Sequence, residues 1–435
     1  MNRAPTADTS GFWPALLLTL ALVLLPVGRS ADAAIGVAAI AGAVLAWRQR
    51  GALRGDRALR LVAVLFACYW LPALLSAPGS VAAQKSWETV GTLLRFLPFA
   101  AFACLTLRGS RVWPRLLAAI AMLVVLWLLD AWVQALTGFS IAGPMSSERL
   151  TGVFGAANLK LGPVLAVLSP FVFTAALARF GRPGLAVAFV LQLVPILLAG
   201  SRAGWLMYAL VTLAFVWREA RSAWRFALWS TLAAALIAMA GLIAWHASPA
   251  FDTRISRSLL VLGGSQQAVD EASAGRLRIW STALRMSAAH PLAGVGVRAF
   301  RYAYPAYAQP GDAFVDTATD EGASHAHQIV LEVLSETGIV GLVLWIAGAF
   351  AAIRAWRRAG AAARTRALAP ALALAAMCFP LDTHLAFYSA WWGLLFWWLL
   401  ALYCAALAED PVEKDSIAQD PIAQDRIAVE KPDAP

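Results

Sequence analysis

Charge is scarce in this chain, and long polar stretches are scarcer. Asp, Glu, Lys and Arg make up 14% of the 435 residues against 60% hydrophobic residues, and the mean hydropathy is +0.68. A soluble domain holds about 25% charged residues, so that class is excluded and an all-α integral membrane protein is expected. The Leu/Ala/Val runs lack the alternation of barrel strands, which leaves helices to satisfy the backbone in lipid. Cysteine is sparse as well. Cys68, Cys104, Cys378 and Cys404 each lie within an apolar run, which reads as buried thiols and no disulfide. No P-loop, Rossmann signature or Asp-x-Asp is present, which argues against nucleotide use. His325 and His327 have no Cys or Asp beside them at ligand spacing, so neither a metal nor another cofactor is expected. No cleavable signal peptide is expected either, because the first apolar run leads straight into a second.

What is present is a succession of apolar runs long enough to span, which takes roughly 20 residues. They fall near 12–28, 32–47, 61–77, 87–107, 116–137, 161–178, 185–200, 203–217, 226–246, 328–353, 367–383 and 385–407, giving twelve expected spans. The chain then divides into helices one to nine (1–246), a large loop (247–326), helices ten to twelve (327–407) and a tail (408–435). The tail is polar, acidic and repeats "IAQD", a composition expected to be disordered.

The net charge of +10 does not point to nucleic acid, because its arginines cluster in short loops. Arg48, Arg50, Arg54, Arg57 and Arg60 lie on one side with Arg108, Arg111, Arg115, Arg179, Arg182, Arg218, Arg221, Arg225, Arg354, Arg357 and Arg358. Short loops on the other side hold only Arg29, Lys85, Arg149, Lys160 and Arg202. The positive-inside rule puts both termini in the cytoplasm, and long translocated loops such as 247–326 are exempt from it.

The polar outliers gather on the sparsely charged face. "LLAGSRAGW" (197–205) places Arg202 at the membrane edge, where it either anchors a helix end by snorkelling or meets a ligand. "SAGRLRIWSTALRMSAAHPLAGVGVRAF" (273–300) contains an amphipathic helix over 276–286. Its polar face reads as Arg278, Ser281, Thr282 and Arg285, and its apolar face as Leu277, Ile279, Trp280, Ala283 and Leu284. Arg276 falls among the apolar residues and needs a carboxylate, an anionic ligand or a route to water. "GVG" (294–296) is a short Gly-rich turn of the kind phosphate loops use. "HAHQIVLEVLSETGIVGL" (325–342) puts His327 in the first turn of span ten, on one face with Leu331, Leu334 and Gly338. Glu332 and Glu336 fall roughly opposite, and His325 falls on the preceding loop. Further candidates to contact a substrate are Arg149, Asn158, Lys85, Arg95, Arg278, Arg298 and Asp382. Cations grouped with one near-neutral base suit a phosphate or pyrophosphate ligand and a proton acceptor.

The stretches "RLTGVFGAANLKLG", "AGSRAGW", "GRLRIW", "HPLAGVGVRAF" and "HAHQIVLEVLSETGIVGL" occur in this order across roughly 145–345. In that order they resemble the O-antigen ligase and polymerase family of bacterial envelopes. The closest local match is the ligase pattern His, Asn/Ser/Gln, nine residues, Gly, two residues, Gly/Thr/Tyr, met here by His327, Gln328, Gly338 and Gly341. The resemblance implies a metal-independent glycosyltransferase of the bacterial inner membrane with its site at the periplasmic face. Its donor would be an undecaprenyl-pyrophosphate-linked glycan, and its acceptor, for a ligase, the lipid A–core oligosaccharide, both handled among membrane lipids. His327 would be the base, and Arg202 and Arg276 would meet the leaving pyrophosphate. A polymerase would use the same donor but extend a glycan on a second carrier lipid. A protein O-oligosaccharyltransferase is disfavoured because little chain follows the last span. A lipid-linked glycan flippase, from another functional class, would need a central charged cavity.

Overall fold

The computed structural model describes residues 12–51, 55–107, 112–145, 149–156, 158–247, 249–259, 270, 273–381 and 386–408. The expected tail, Asp382, Arg54, Arg108 and Arg111 lie outside them. The helices are α1 (Phe12–Val23), α2 (Ala31–Arg48), α3 (Arg57–Ser76), α4 (Ala83–Leu93), α5 (Phe96–Thr106), α6 (Trp113–Thr137), α7 (Leu161–Leu198) and α8 (Arg202–Ala220). They continue as α9 (Ala223–Ala247), α10 (Pro249–Leu259), α11 (Arg276–Ala289), α12 (Phe300–Tyr307), α13 (Ile329–Arg358), α14 (Ala361–Met377) and α15 (Ala390–Ala406). A small hairpin that the sequence reading did not anticipate pairs β1 (Phe139–Ser140) with β2 (Gly143–Pro144) after α6.

Among the described residues, seven helical stretches are long and apolar enough to cross a membrane. They are Ala31–Arg48, Arg57–Ser76, Ala83–Thr106, Trp113–Thr137, Leu161–Leu198, Ala223–His246 and Ile329–Arg358. The apolar helices α1 and α15 are shorter, at 12 and 17 residues. Ten of the twelve expected spans overlap these helices, while spans eight and eleven fall on α8 and α14, which are not among the seven, and the segmentation differs. Spans six and seven form the single 38-residue α7, folded back at Gly181, whose φ of 65° and ψ of −156° lie outside the helical region. No loop is needed there because a glycine takes that conformation without a Cβ penalty. Arg182 pins the corner by donating from Nη2 to the Glu219 carbonyl at the end of α8, 2.9 Å away. Span four is broken into α4 and α5 at Leu94–Arg95.

The main core is formed where α3, α5, α7, α13, α14 and α15 meet. Its aromatic centre includes Trp397, with Phe96 stacked on it at 5.7 Å and Tyr69 edge-on at 5.5 Å. A second, smaller core lies in the 276–326 region, where Ile279, Ala283 and Met286 of α11 pack on Phe300 and Tyr304 of α12. This outer unit is anchored by Tyr304, whose hydroxyl donates to buried Asp312 at 2.9 Å. Burial and that carboxylate push the Tyr304 phenol far above its ordinary pKa.

The two cores are joined at a break in α13. Gly338 has φ 65° and ψ −166°, which stops Ile339 and Val340 from bonding back to Ser335 and Glu336. The segment 291–296 replaces both lost bonds. Ile339 N–H donates to the Pro291 carbonyl at 2.8 Å and Val340 N–H to that of Leu292 at 3.3 Å. In return, Val295 N–H donates to the Ser335 carbonyl at 2.8 Å and Gly296 N–H to that of Glu336 at 3.0 Å. Irregular backbone at this depth survives only when protein encloses it, and Gly294, Val295, Gly296 and Val297 are all buried. The "GVG" turn therefore serves as a strap on α13, and its Val295 and Gly296 N–H groups face helix carbonyls instead of a phosphate.

A Cβ at Gly338 would overlap the Leu292 carbonyl, and the backbone conformation alone costs a non-glycine residue about 1–3 kcal/mol. Gly338→Ala should lower the thermal unfolding midpoint of detergent-purified protein by several degrees. Gly36→Ala, where nothing lies within 4 Å of the added carbon, should leave it unchanged or raised. Equal midpoints for the two variants would contradict the strap geometry.

Candidate active site

The strap brings the outer unit against the start of α13, and two carboxyl groups hold it there. Glu332 and Glu336 are fully buried. Glu336 Oε2 accepts from the Arg298 backbone N–H at 2.9 Å, at the end of the strap, where Arg298 has a left-handed φ of 60°. Glu332 Oε1 accepts from Phe387 N–H at 2.8 Å, and the Phe387 carbonyl accepts from the Tyr69 hydroxyl at 2.9 Å. The Arg298 charge acts on both carboxyl groups. The expected arrangement of this helix is therefore inverted. The interior face is Glu332, Val333, Ser335, Glu336 and Thr337, while Leu331 and Leu334 are only half-buried. The carboxyl groups face inward because they are the acceptors for backbone donors of two loops.

His327 also moves from its expected place. It lies ahead of α13, outside its first turn, with a left-handed φ of 52°. Gln328 is the N-cap: its Oε1 accepts from Leu331 N–H, and its Nε2 donates to the Pro380 carbonyl at 2.8 Å. His325 and His327 are not separated, since their ring centroids are 3.8 Å apart. Ser324 Oγ lies 2.9 Å from His325 Nδ1. The same loop is tied to α11 by Trp280, whose Nε1 donates to the Ala326 carbonyl at 3.1 Å.

Arg276 is the first residue of α11, one turn before Trp280, and half-buried. Starting the helix there puts it at a helix end and not among apolar side chains. The wheel reading needs two further corrections: Thr282 is buried and Leu284 is exposed, because the second core covers the Ile279–Thr282–Met286 stripe. Arg202 opens α8, with Ser201 Oγ capping Gly204 N–H at 3.3 Å. A Cβ on Gly204 would come within 3.0 Å of the Gly162 backbone, so the second glycine of "AGSRAGW" lets α8 lie against the start of α7. Arg149 is close enough for its charge to act on Arg202, and Leu150 N–H donates to the Leu198 carbonyl at 3.3 Å. Two cations at a helix N-terminus, the positive end of its dipole, form a place electrostatically suited to an anion.

The two groups share one end of the bundle. α14 packs on α7 and α8, and just beyond its end the Pro380 carbonyl receives Gln328. Asp382 lies outside the described residues. Asn158 is half-buried, its N–H donating to the Gly155 carbonyl at 3.0 Å. Near it, the Lys160 ammonium sits 4.5 Å from the Trp391 ring, and burial lowers its pKa.

Four of the expected substrate contacts have partners within the protein. Arg95 sits at the α4–α5 break, 3.0 Å from Asp32. Lys85 pairs with Glu88 at 3.2 Å and Arg278 with Asp270 at 2.9 Å, while Arg298 serves Glu332 and Glu336. Sequence reasoning missed Gln134 and Asp130, one turn apart on α6. Gln134 Oε1 accepts from Thr151 and Gly152 N–H at 2.9 and 2.8 Å, and Asp130 Oδ1 accepts from Ile141 N–H at 2.8 Å. Two polar residues in an apolar helix were the available signal. Among the described residues, no three His, Cys, Asp or Glu gather as a metal would require.

Residues 187–346 match the family model described as O-Antigen ligase. The match supports a member of the O-antigen ligase family. It runs from the second half of α7 into α13 and so takes in Arg202, Arg276 and His327. No curated protein matches the chain. The motif positions acquire physical reasons here: Gln328 caps α13, Gly338 breaks it, and Gly341 clears Thr337, which a Cβ would strike.

Glu332→Ala should leave the buried Phe387 N–H without an acceptor and cost about 1–3 kcal/mol. Glu332→Gln, which keeps an acceptor oxygen, should recover most of the loss in thermal unfolding. Removing the exposed Lys85–Glu88 pair by Lys85→Ala should cost at most about 1 kcal/mol. A midpoint drop for Lys85→Ala as large as that for Glu332→Ala would refute the ranking.

Proposed function

We propose that this protein is an O-antigen ligase of the bacterial inner membrane. In this reading it transfers a glycan from undecaprenyl pyrophosphate to lipid A–core oligosaccharide at the periplasmic face, with both termini in the cytoplasm. The observation that carries the reading is the family match over 187–346, which spans a histidine loop held against the arginine-bearing α11 by the Trp280–Ala326 hydrogen bond.

His327 takes the proton of an acceptor hydroxyl while that oxygen attacks the anomeric carbon. The bond from the anomeric carbon to the pyrophosphate breaks with inversion, and the carrier pyrophosphate departs with the electron pair. Arg202 and Arg276 meet the charge growing on the leaving group, a task that guanidinium groups perform as bidentate donors without a metal. Arg149, at Arg202, adds positive charge to the same place. The adjacent His325 ring, tilted by 46° against it, supports the orientation of His327.

A polymerase reading is favoured by one fact, that the matched family also covers related polymerases. The donor chemistry is unchanged, and only the acceptor distinguishes the two.

With full-length purified protein, undecaprenyl-pyrophosphate glycan and lipid A–core, His327→Ala, Arg202→Ala and Arg276→Ala should each reduce transfer by at least about 100-fold. Expression and melting should be retained. Full transfer by His327→Ala would remove the base assignment, and loss of transfer in EDTA that added metal restores would overturn the arginine-only account. Transfer to a second carrier-linked glycan in preference to lipid A–core would replace ligase by polymerase.

A further inference from the structure

At the end of the bundle away from His327, Arg57 and Arg60 open α3, and Arg354 and Arg358 close α13. All four line one cavity of about 700 Å3. The rest of its wall is alanine, glycine, valine and leucine, and no lining residue among those described is acidic. Topology signalling accounts for arginines in these loops, but it does not require them to converge on one concave site. Arg60 Nη2 also donates to the Gly55 carbonyl at 3.1 Å.

One helical turn deeper along the same two helices lies a second cavity, of about 310 Å3. On α3 the wall passes from Leu61 and Val64 to Leu65 and Cys68, and on α13 from Ala355 and Ala351 to Ala352 and Gly348. This cavity is lined by apolar and aromatic side chains, and Ala349 and Ile353 on its α13 wall are exposed to the surroundings. From Arg354 and Arg358 to Trp345 at its far wall is about 15–20 Å along the helix, a distance comparable to an extended fatty acyl chain. A cationic pocket with an apolar slot beside it along the same two helices matches a molecule with a phosphate at one end and a hydrocarbon chain at the other. A free phosphate would leave the slot unused, and a zwitterionic lipid would bring its own cation among the arginines.

We infer that α3 and α13 form a binding site for one anionic diacyl phospholipid in the leaflet opposite His327. Its phosphate lies among Arg57, Arg60, Arg354 and Arg358, and one acyl chain lies in the apolar cavity behind Ala349. Basic pockets between spanning helices hold anionic headgroups in this way. The site is independent of the glycosyl-transfer reading and needs none of its residues.

Native mass spectrometry of the full-length protein in detergent tests the site, with dioleoyl phosphatidylglycerol, dioleoyl phosphatidylcholine and glycerol 3-phosphate as probes. Phosphatidylglycerol should bind one to one, and the other two should bind at least about tenfold more weakly. The double substitution Arg354→Gln/Arg358→Gln should weaken phosphatidylglycerol by about tenfold or more. Arg48→Gln/Arg50→Gln removes equal charge from exposed residues at the same end of the bundle, and should leave binding within about twofold of the wild type. Ala349→Phe, at the lipid-facing mouth, should weaken phosphatidylglycerol while the melting temperature without lipid is kept. Equal losses in the two arginine pairs, or glycerol 3-phosphate bound as tightly as phosphatidylglycerol, would overturn the proposal.

Discussion

The rest of the site depends on the exchange of peptide hydrogen bonds across Gly338. A helix in lipid has no water to satisfy a broken turn, so an interruption survives only if another piece of backbone supplies the missing partners. The strap 291–296 supplies them as two donated and two accepted bonds, matched to the two i→i−4 bonds that the break removes. The same exchange fixes where the outer unit stands. Once the strap is bonded, α11 and the histidine loop are held to the first turns of α13, and Trp280 closes the arrangement.

Other contacts act on that joint from both sides. Val297 N–H donates to Ser76 Oγ at 3.1 Å, and the Val297 carbonyl accepts from Ser86 Oγ at 2.7 Å, so the α3–α4 connection holds the outer edge of the strap. Glu336 takes the next backbone donor, that of Arg298, and Glu332 takes that of Phe387 in the last outer loop. Two segments far apart in sequence thus use α13 as a common post. The arginines of the site arrive on different supports: Arg276 on the strapped outer unit, and Arg202 on α8, packed at Gly204 against the start of α7.

The glutamates show how sequence reading fails at such a place. A carboxyl group in an apolar helix marks function or a buried partner, and that much was visible. Its direction was not, because a helical wheel ranks faces by hydrophobicity, whereas Glu332 and Glu336 turn inward to reach backbone N–H groups of loops about 50 and 40 residues away. The pairing of Arg95 was hidden for a related reason. It reads as a cation without a neighbour of opposite sign and finds Asp32 only when α2 packs on α5, whereas Lys85 has Glu88 three residues on. The setting of His327 was misread as well, since Gln328 takes the cap and His327 stands off the helix with a left-handed backbone.

The order of motifs, the apolar runs and the choice of His327, Arg202 and Arg276 are legible in the chain itself, because hydropathy and local spacing are properties of neighbouring residues. So is the marking of Gly338, although not its purpose. Tertiary structure alone decides that α7 turns back at Gly181 to lie beside itself, that the "GVG" segment straps a broken helix, and that Arg95 is paired with Asp32. Each of these is an interaction between residues distant in sequence, and no periodicity along the chain encodes which distant donor will meet which acceptor.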